Sequence, residues 1–143
     1  MRTGRRGDVG YVVGESLTEI GGGLGFNIRP PVGEIWRVIS WRATLTTDAT
    51  VGNRYMMWHI YDGTNFASTF RSNIAHVASL AYVYGVNPGV HSVGFVIAPF
   101  IMFPWSMDIF INNTWYWFVD PDGIQAGDHF SQIYAFVEKW LDE

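Results

Sequence analysis

The side chains able to do chemistry here are few. The chain has four histidines, His59, His76, His91 and His129, and no cysteine, so metal, redox or nucleophilic chemistry has to start from isolated imidazoles, hydroxyls and carboxylates. Neither HxH nor HExxH occurs to bring two imidazoles to one ion, and a cupin-type metal site lacks its closely spaced ligands. His59, inside the apolar run Tyr55–Tyr61, reads as a core or interface histidine with one ring nitrogen satisfied. Asp120-Pro121-Asp122-Gly123, with Asp128 beyond, gathers the hard oxygens that calcium needs. Its spacing fails: glycine directly follows the second aspartate and no bidentate glutamate closes the loop, so a proline–glycine turn accounts for these residues. No serine sits in GxSxG and no carboxylate pair stands out as an acid/base couple. Gly21-Gly22-Gly23 is followed by no GK[ST] and is not a phosphate loop. The residues predict no enzyme, no cofactor and no metal.

Binding residues are better represented than reactive ones. Trp115, Tyr116 and Trp117 resemble a stacking platform; adjacent strand residues point to opposite faces, so Trp115 and Trp117 share one side and Tyr116 takes the other. Core or subunit burial competes with a ligand platform for both tryptophans. The run Ala98-Pro-Phe-Ile-Met-Phe-Pro-Trp105 is strongly apolar, and its two prolines predict an edge or loop position. An apolar loop is costly in water, which makes Phe100, Ile101, Met102, Phe103 and Trp105 the expected oligomer interface. Arg2, Arg5 and Arg6 form a basic tip, too small a footprint on a chain of net charge −4 for nucleic acid. An acidic protein surface suits it better.

Composition bounds what these residues can serve. A chain of 143 residues suits one domain. Hydrophobic residues make up 48% and charged residues 15%, against about 25% charged in a typical globular domain, so some apolar surface is expected to meet a partner. Aromatics reach 17% with seven tryptophans, side chains that supply large contact area in permanent interfaces. A homo-oligomer is expected, a trimer by fold-class analogy. The absence of cysteine excludes a disulfide framework. No run has the eighteen or so apolar residues of a membrane helix, and MRTGRRGDVG carries no apolar segment behind its arginines, so neither membrane insertion nor standard secretion is expected. Residues 1–42 hold six arginines against four acids, whereas residues 108–143 hold one lysine against seven; such opposite ends favour contact between neighbouring subunits.

The elements that must position these groups are strands. From Glu34 onward Ile35, Ile39, Ala43 and Leu45 share one parity, with Arg37 and Trp41 mixed among them, and Trp36, Val38, Ser40, Arg42 and Thr44 share the other. After a polar connection, Arg54 opens the next strand, and Tyr55–Tyr61 reads as a central one stopping at Asp62-Gly63. Further strands are predicted at Phe66–Phe70, Leu80–Tyr84, His91–Ile97, Met107–Ile111, Trp115–Val119 and His129–Trp140, with a short helix admissible over Ser72–Leu80. The pattern predicts an all-β antiparallel sandwich of jelly-roll type over residues 30–143. Trp36, Leu45, Trp58, Ile60, Phe118 and Val137 are its expected core. Residues 1–29 are glycine-rich and predict an extended arm, with Tyr11, Val12 and Val13 as one short strand that reaches a neighbour.

The block PPVGEIWRVISWRATLTTDATVGNR, the DG turn after the next strand and the late AGD-x-F-S-Q-I-Y-A-F-V-E-K-W segment resemble small virion structural proteins of tailed bacteriophages over about residues 30–140. The resemblance implies a β-sandwich or jelly-roll virion component that assembles in the host cytoplasm with itself and with the major capsid or another virion protein, first of all as a capsid decoration or cement protein. The other reading is a carbohydrate- or receptor-binding module of a phage tail, using Trp115 and Trp117.

Overall fold

The computed structural model describes residues 10–88, 95–97, 100–104 and 109–141. Apolar alternation punctuated by Gly, Pro, Asn and Asp resolves them into β1 (Tyr11–Leu17), β2 (Phe26–Ile28), β3 (Glu34–Thr46), β4 (Arg54–Tyr61), β5 (Phe66–His76), β6 (Ala81–Asn87), β7 (Phe95–Ile97), β8 (Phe100–Pro104), β9 (Phe110–Ile111), β10 (Tyr116–Val119) and β11 (His129–Leu141). No helix occurs among the described residues, and Ser72–His76, where a short helix was admissible, continues β5. The larger sheet runs β1-β11-β3-β6-β8-β7, with β9 also on β3; the smaller runs β2-β10-β4-β5. The chain is therefore all-β, a sandwich, with β4 interior to its sheet as the sequence predicts. One pairing departs from the antiparallel expectation. β6 and β8 are parallel, Val83 opposite Phe100 through Asn87 opposite Pro104, so the larger sheet is mixed.

Aromatic rings knit the two sheets together. Phe26 meets Trp41 and Phe130 edge to face at 5.6 and 5.0 Å, and Trp41 meets Trp58 at 5.6 Å, the geometry that the ring quadrupole favours. Trp36, Leu45, Trp58, Ile60 and Val137 lie in this core as expected. Phe118 does not: β10 turns Trp117 and Val119 inward, which leaves Phe118 half-buried on the outer face beside His59 and Phe66.

Two bulges interrupt the β3–β11 pairing, and the first explains the mixed parity of β3. Val137 faces Val38 while Phe136 faces Ser40, so Ile39 is an extra residue; Trp36 and Val38 point inward before it and Trp41, Ala43 and Leu45 after it. The second bulge lies in β11, between Ser131 and Tyr134, where Gln132 takes φ 49°. It allows Phe130 and Ile133 to face the core together and turns Tyr134 and Phe136 outward.

The boundary at residue 30 does not survive folding. Tyr11, Val12 and Val13 belong to β1, which pairs with β11 of the same chain from Tyr11 opposite Lys139 to Leu17 opposite Ile133. β2 pairs with β10, and Phe26 and Ile28 are fully buried in the core. The glycines that suggested a loose arm instead make a tight reversal. Gly25 has φ +75°, and a Cβ there would lie 1.9 Å from the Val119 carbonyl oxygen. Gly25→Ala is therefore expected to cost at least about 1–3 kcal/mol from backbone strain alone, whereas Gly14→Ala, with open space around its Cβ, should stay within about 0.5 kcal/mol of the parent. Urea denaturation of both variants checks the contrast; equal stabilities would remove the close approach of Gly25 to β10.

Candidate functional site

Polar groups concentrate at one end of the sandwich, where the β3–β4, β5–β6 and β10–β11 connections meet. Arg54 opens β4 with its side chain turned inward and fully buried. Its Nε and Nη2 donate to both carboxylate oxygens of Asp128 at 2.8 and 2.9 Å, Nη2 donates also to Asp48 at 2.9 Å, and Nη1 donates to the Thr50 and Gly52 carbonyls. Asp128 further accepts the Asp48 and Gln125 amides, each at 2.8 Å. Burial alone pushes the Asp128 carboxyl up, but the Arg54 hydrogen bonds and the two amides outweigh it and hold the group below the usual carboxylate range. The Asp128 hydrogen bond in turn raises the guanidinium further. Next to this pair, Tyr84 donates to His76 Nδ1 at 3.0 Å, while His76 Nε2 donates to the Leu80 carbonyl at 3.1 Å. Burial depresses His76 and keeps the ring neutral. With its donors and acceptors so occupied, this network fastens three connections and is a structural clasp.

The other candidates for chemistry fall out similarly. Asp122 accepts from Arg71 Nη2 at 2.8 Å and exchanges backbone hydrogen bonds with Tyr55, the turn expected for Asp-Pro-Asp-Gly. His59 sits on the outer face of the smaller sheet, its Nδ1 2.8 Å from the Thr69 hydroxyl, with Phe66 stacked 4.0 Å away; burial lowers its pKa. His129 is exposed, and His91 lies outside the described residues. Among the described residues no group of three or more acids and histidines is placed to hold a metal.

The residues selected for binding separate. Trp115 is 45% exposed but Trp117 is 0% exposed and in the core, so the two-ring platform does not form. The reason is local: Asn112 Oδ1 accepts the Thr114 and Trp115 amides in a turn, which holds Trp115 ahead of β10, while Trp117 follows the inward parity of the strand. Trp115 lines a largely apolar cleft of about 540 Å³ with Ile35, Ile60, Phe110 and Ile111. Likewise Ile101 and Phe103 of the expected interface are core residues, because β8 is hydrogen-bonded on both edges and its alternate side chains enter the sandwich. Phe100 stays 48% exposed and Met102 half-buried. Trp105, Arg2, Arg5 and Arg6 lie outside the described residues.

What the structure brings together is the outer face of the larger sheet. Ser16, Tyr134, Arg42, Gly85 and Met102 are successive partners across β1, β11, β3, β6 and β8. Phe136 lies beside them opposite Gly14, and Phe100 lies opposite Val83 at the neighbouring position of β8. Tyr134, Phe136 and Phe100 are each about half exposed; Arg42 sits 5.5 Å from the Tyr134 ring. Met102 lies over Gly85, where no Cβ fits, so a shallow trough of about 220 Å³ opens between Met102, Tyr134 and Phe136. Along one border runs the edge strand β1, with Tyr11 and Val12 more than half exposed. Residues assigned separately in the sequence to an arm and to an interface thus share one sheet. The strand that carries Tyr134 and Phe136 was legible in the sequence, but the bulge that turns them outward was not. No known family model, curated protein or solved structure matches this chain.

Proposed function

We propose that this sandwich, wound as a jelly roll, is a structural protein of a tailed-bacteriophage virion and acts by assembly, as a capsid decoration or cement protein. The observation that carries the assembly part is the outer face of the larger sheet, where Tyr134, Phe136 and Met102 line a trough, Phe100 stands exposed on the same sheet, and β1 forms an edge that no other strand takes among the described residues. Apolar rings grouped on a solvent-facing sheet mark protein contact, and an open edge offers backbone groups to another chain. The virion part rests on the sequence resemblance. In this reading the chain associates with itself, as a trimer, and with the capsid shell.

Light scattering of the purified chain, followed by co-sedimentation with undecorated capsids, tests both parts. The parent is expected to be oligomeric and to sediment with the shells. Phe136→Glu should leave the melting temperature nearly unchanged, because the side chain points outward, and should shift the mass toward the monomer. A monomeric parent removes the assembly reading, and an oligomer indifferent to shells removes the capsid role. A carbohydrate-binding reading draws on Trp115 at the mouth of its cleft; glycan-array binding abolished by Trp115→Ala would favour it instead.

A further inference from the structure

β1 is fastened along one side only. Its seven residues pair with β11 in one unbroken register, and no strand takes its other edge among the described residues. Val13 and Leu17 pack half-buried against the core, and Glu15 forms an ion pair with Lys139, which also lies 4.8 Å from the Trp36 ring. Between β1 and the fully buried β2 stand eight residues, Thr18 to Gly25. They reverse the chain through two backbone bonds, Ile20 N–H to the Gly25 carbonyl at 2.8 Å and Leu24 N–H to the Gly21 carbonyl at 3.2 Å. The far side of the reversal is pinned: Gly23 and Gly25 approach the Gln125 and Val119 carbonyls too closely for a Cβ. Gly21 and Gly22, both at positive φ, have open space around them. A hinge of two unobstructed glycines therefore separates a peripheral strand from one locked in the core.

We infer that β1 is an exchangeable strand: on assembly it opens at Gly21-Gly22 and takes the same edge of β11 on a second copy of this chain. The inference rests on the assembly reading and deepens it by naming the element that joins the subunits. Exchange reproduces each β1–β11 contact, so the two arrangements differ in the turn bonds, in the Glu19–Phe26 bridge that spans the hinge, and in the cost of bringing copies together. Glu15 reaches along the strand to pair with Lys139, and Val13 and Leu17 supply the apolar contact. With Gly23 and Gly25 held in place, the five residues Thr18 to Gly22 reach roughly 16–18 Å when extended, so the partner copy must lie directly beside this edge.

The chain has no cysteine, which permits a clean test on the full-length protein. Ser16 and Tyr134 are direct partners, and facing residues of antiparallel strands lie about 4.5–5.5 Å apart at Cα, within disulfide range. Full-length Ser16→Cys and Tyr134→Cys chains are mixed, unfolded, refolded together and mildly oxidised. Each chain carries a single thiol, so no intrachain bond is possible and a disulfide joining the two variants requires β1 of one copy on β11 of the other. The expected result is a heterodisulfide at least tenfold above that of Ser16→Cys with Thr64→Cys, an exposed control position in the β4–β5 turn of the smaller sheet. Should Tyr134→Cys fail to fold, Val12→Cys with Glu138→Cys, also direct partners, replaces the pair. An oligomer without the heterodisulfide overturns strand exchange and leaves the assembly reading standing; a monomer without it overturns both.

Discussion

Asp128→Ala is expected to lower the stability of the domain by about 3–5 kcal/mol, the usual cost of leaving one partner of a buried ion pair uncompensated. The Arg54 and Asp128 side chains are both fully buried and joined at two points. Removing the carboxylate takes two of the guanidinium's hydrogen bonds, leaving it Asp48 and two carbonyls, and orphans the Asp48 and Gln125 amides. A double Arg54→Met, Asp128→Leu variant should recover part of the loss, because no fully buried charge then remains, while Asp48 and the two amides still lack their partners. Equilibrium unfolding in urea reads both; a single-variant loss below about 1 kcal/mol would show that the clasp does not hold the three connections. The same cluster sets an acid response. His76 is depressed by burial, so its contribution is complete above the unfolded value of about 6.5. It declines as the pH falls below that, because the unfolded chain takes up a proton that the native ring resists. Asp128, held below its ordinary value, adds a second decline below about pH 4. Stability that stays flat from pH 7 to pH 3 would contradict both assignments.

Trp58→Ala is the second large effect, a loss of roughly 3–5 kcal/mol from lost transfer free energy and the cavity left behind. The ring is stacked on Phe70 at 4.0 Å within the smaller sheet and meets Trp41 and Phe103 of the larger one at 5.6 and 5.4 Å. It joins the layers alongside the Phe26–Trp41 and Phe70–Phe103 contacts. The midpoint of thermal unfolding should fall by roughly 10 °C or more for a domain of this size. A change of only a few degrees would mean that the two sheets are held together elsewhere. Trp115→Ala, at an exposed turn position, is the matched control and should leave the midpoint nearly unmoved.

These effects show where local sequence stops being informative. Alternation and turn chemistry already specify β3, β4, β10 and β11, because a strand's inward and outward sets are written at period two and the Asp62-Gly63 and Asn112–Trp115 turns are closed by their own side chains. They also suffice for the all-β sandwich and for most of its core. The short helix that the sequence left admissible over Ser72–Leu80 does not form over Ser72–His76, because pairing with β4, Arg54 opposite His76, overrides local preference. Residues 11–28 join the two sheets, with Gly23 and Gly25 taking positive φ and packing closely against the β10–β11 connection and β10. Parity alone misplaced Phe118 and grouped Trp117 with Trp115, and it gave no sign of Ile39 or Gln132 as bulge residues, since a bulge is defined only against the partner strand. Arg54 was legible as the opening of a strand, but its partner stands 74 residues away. Which side chains became core, clasp or outer face was decided by which distant strand lay alongside, because a residue's burial depends on neighbours that only the folded chain supplies.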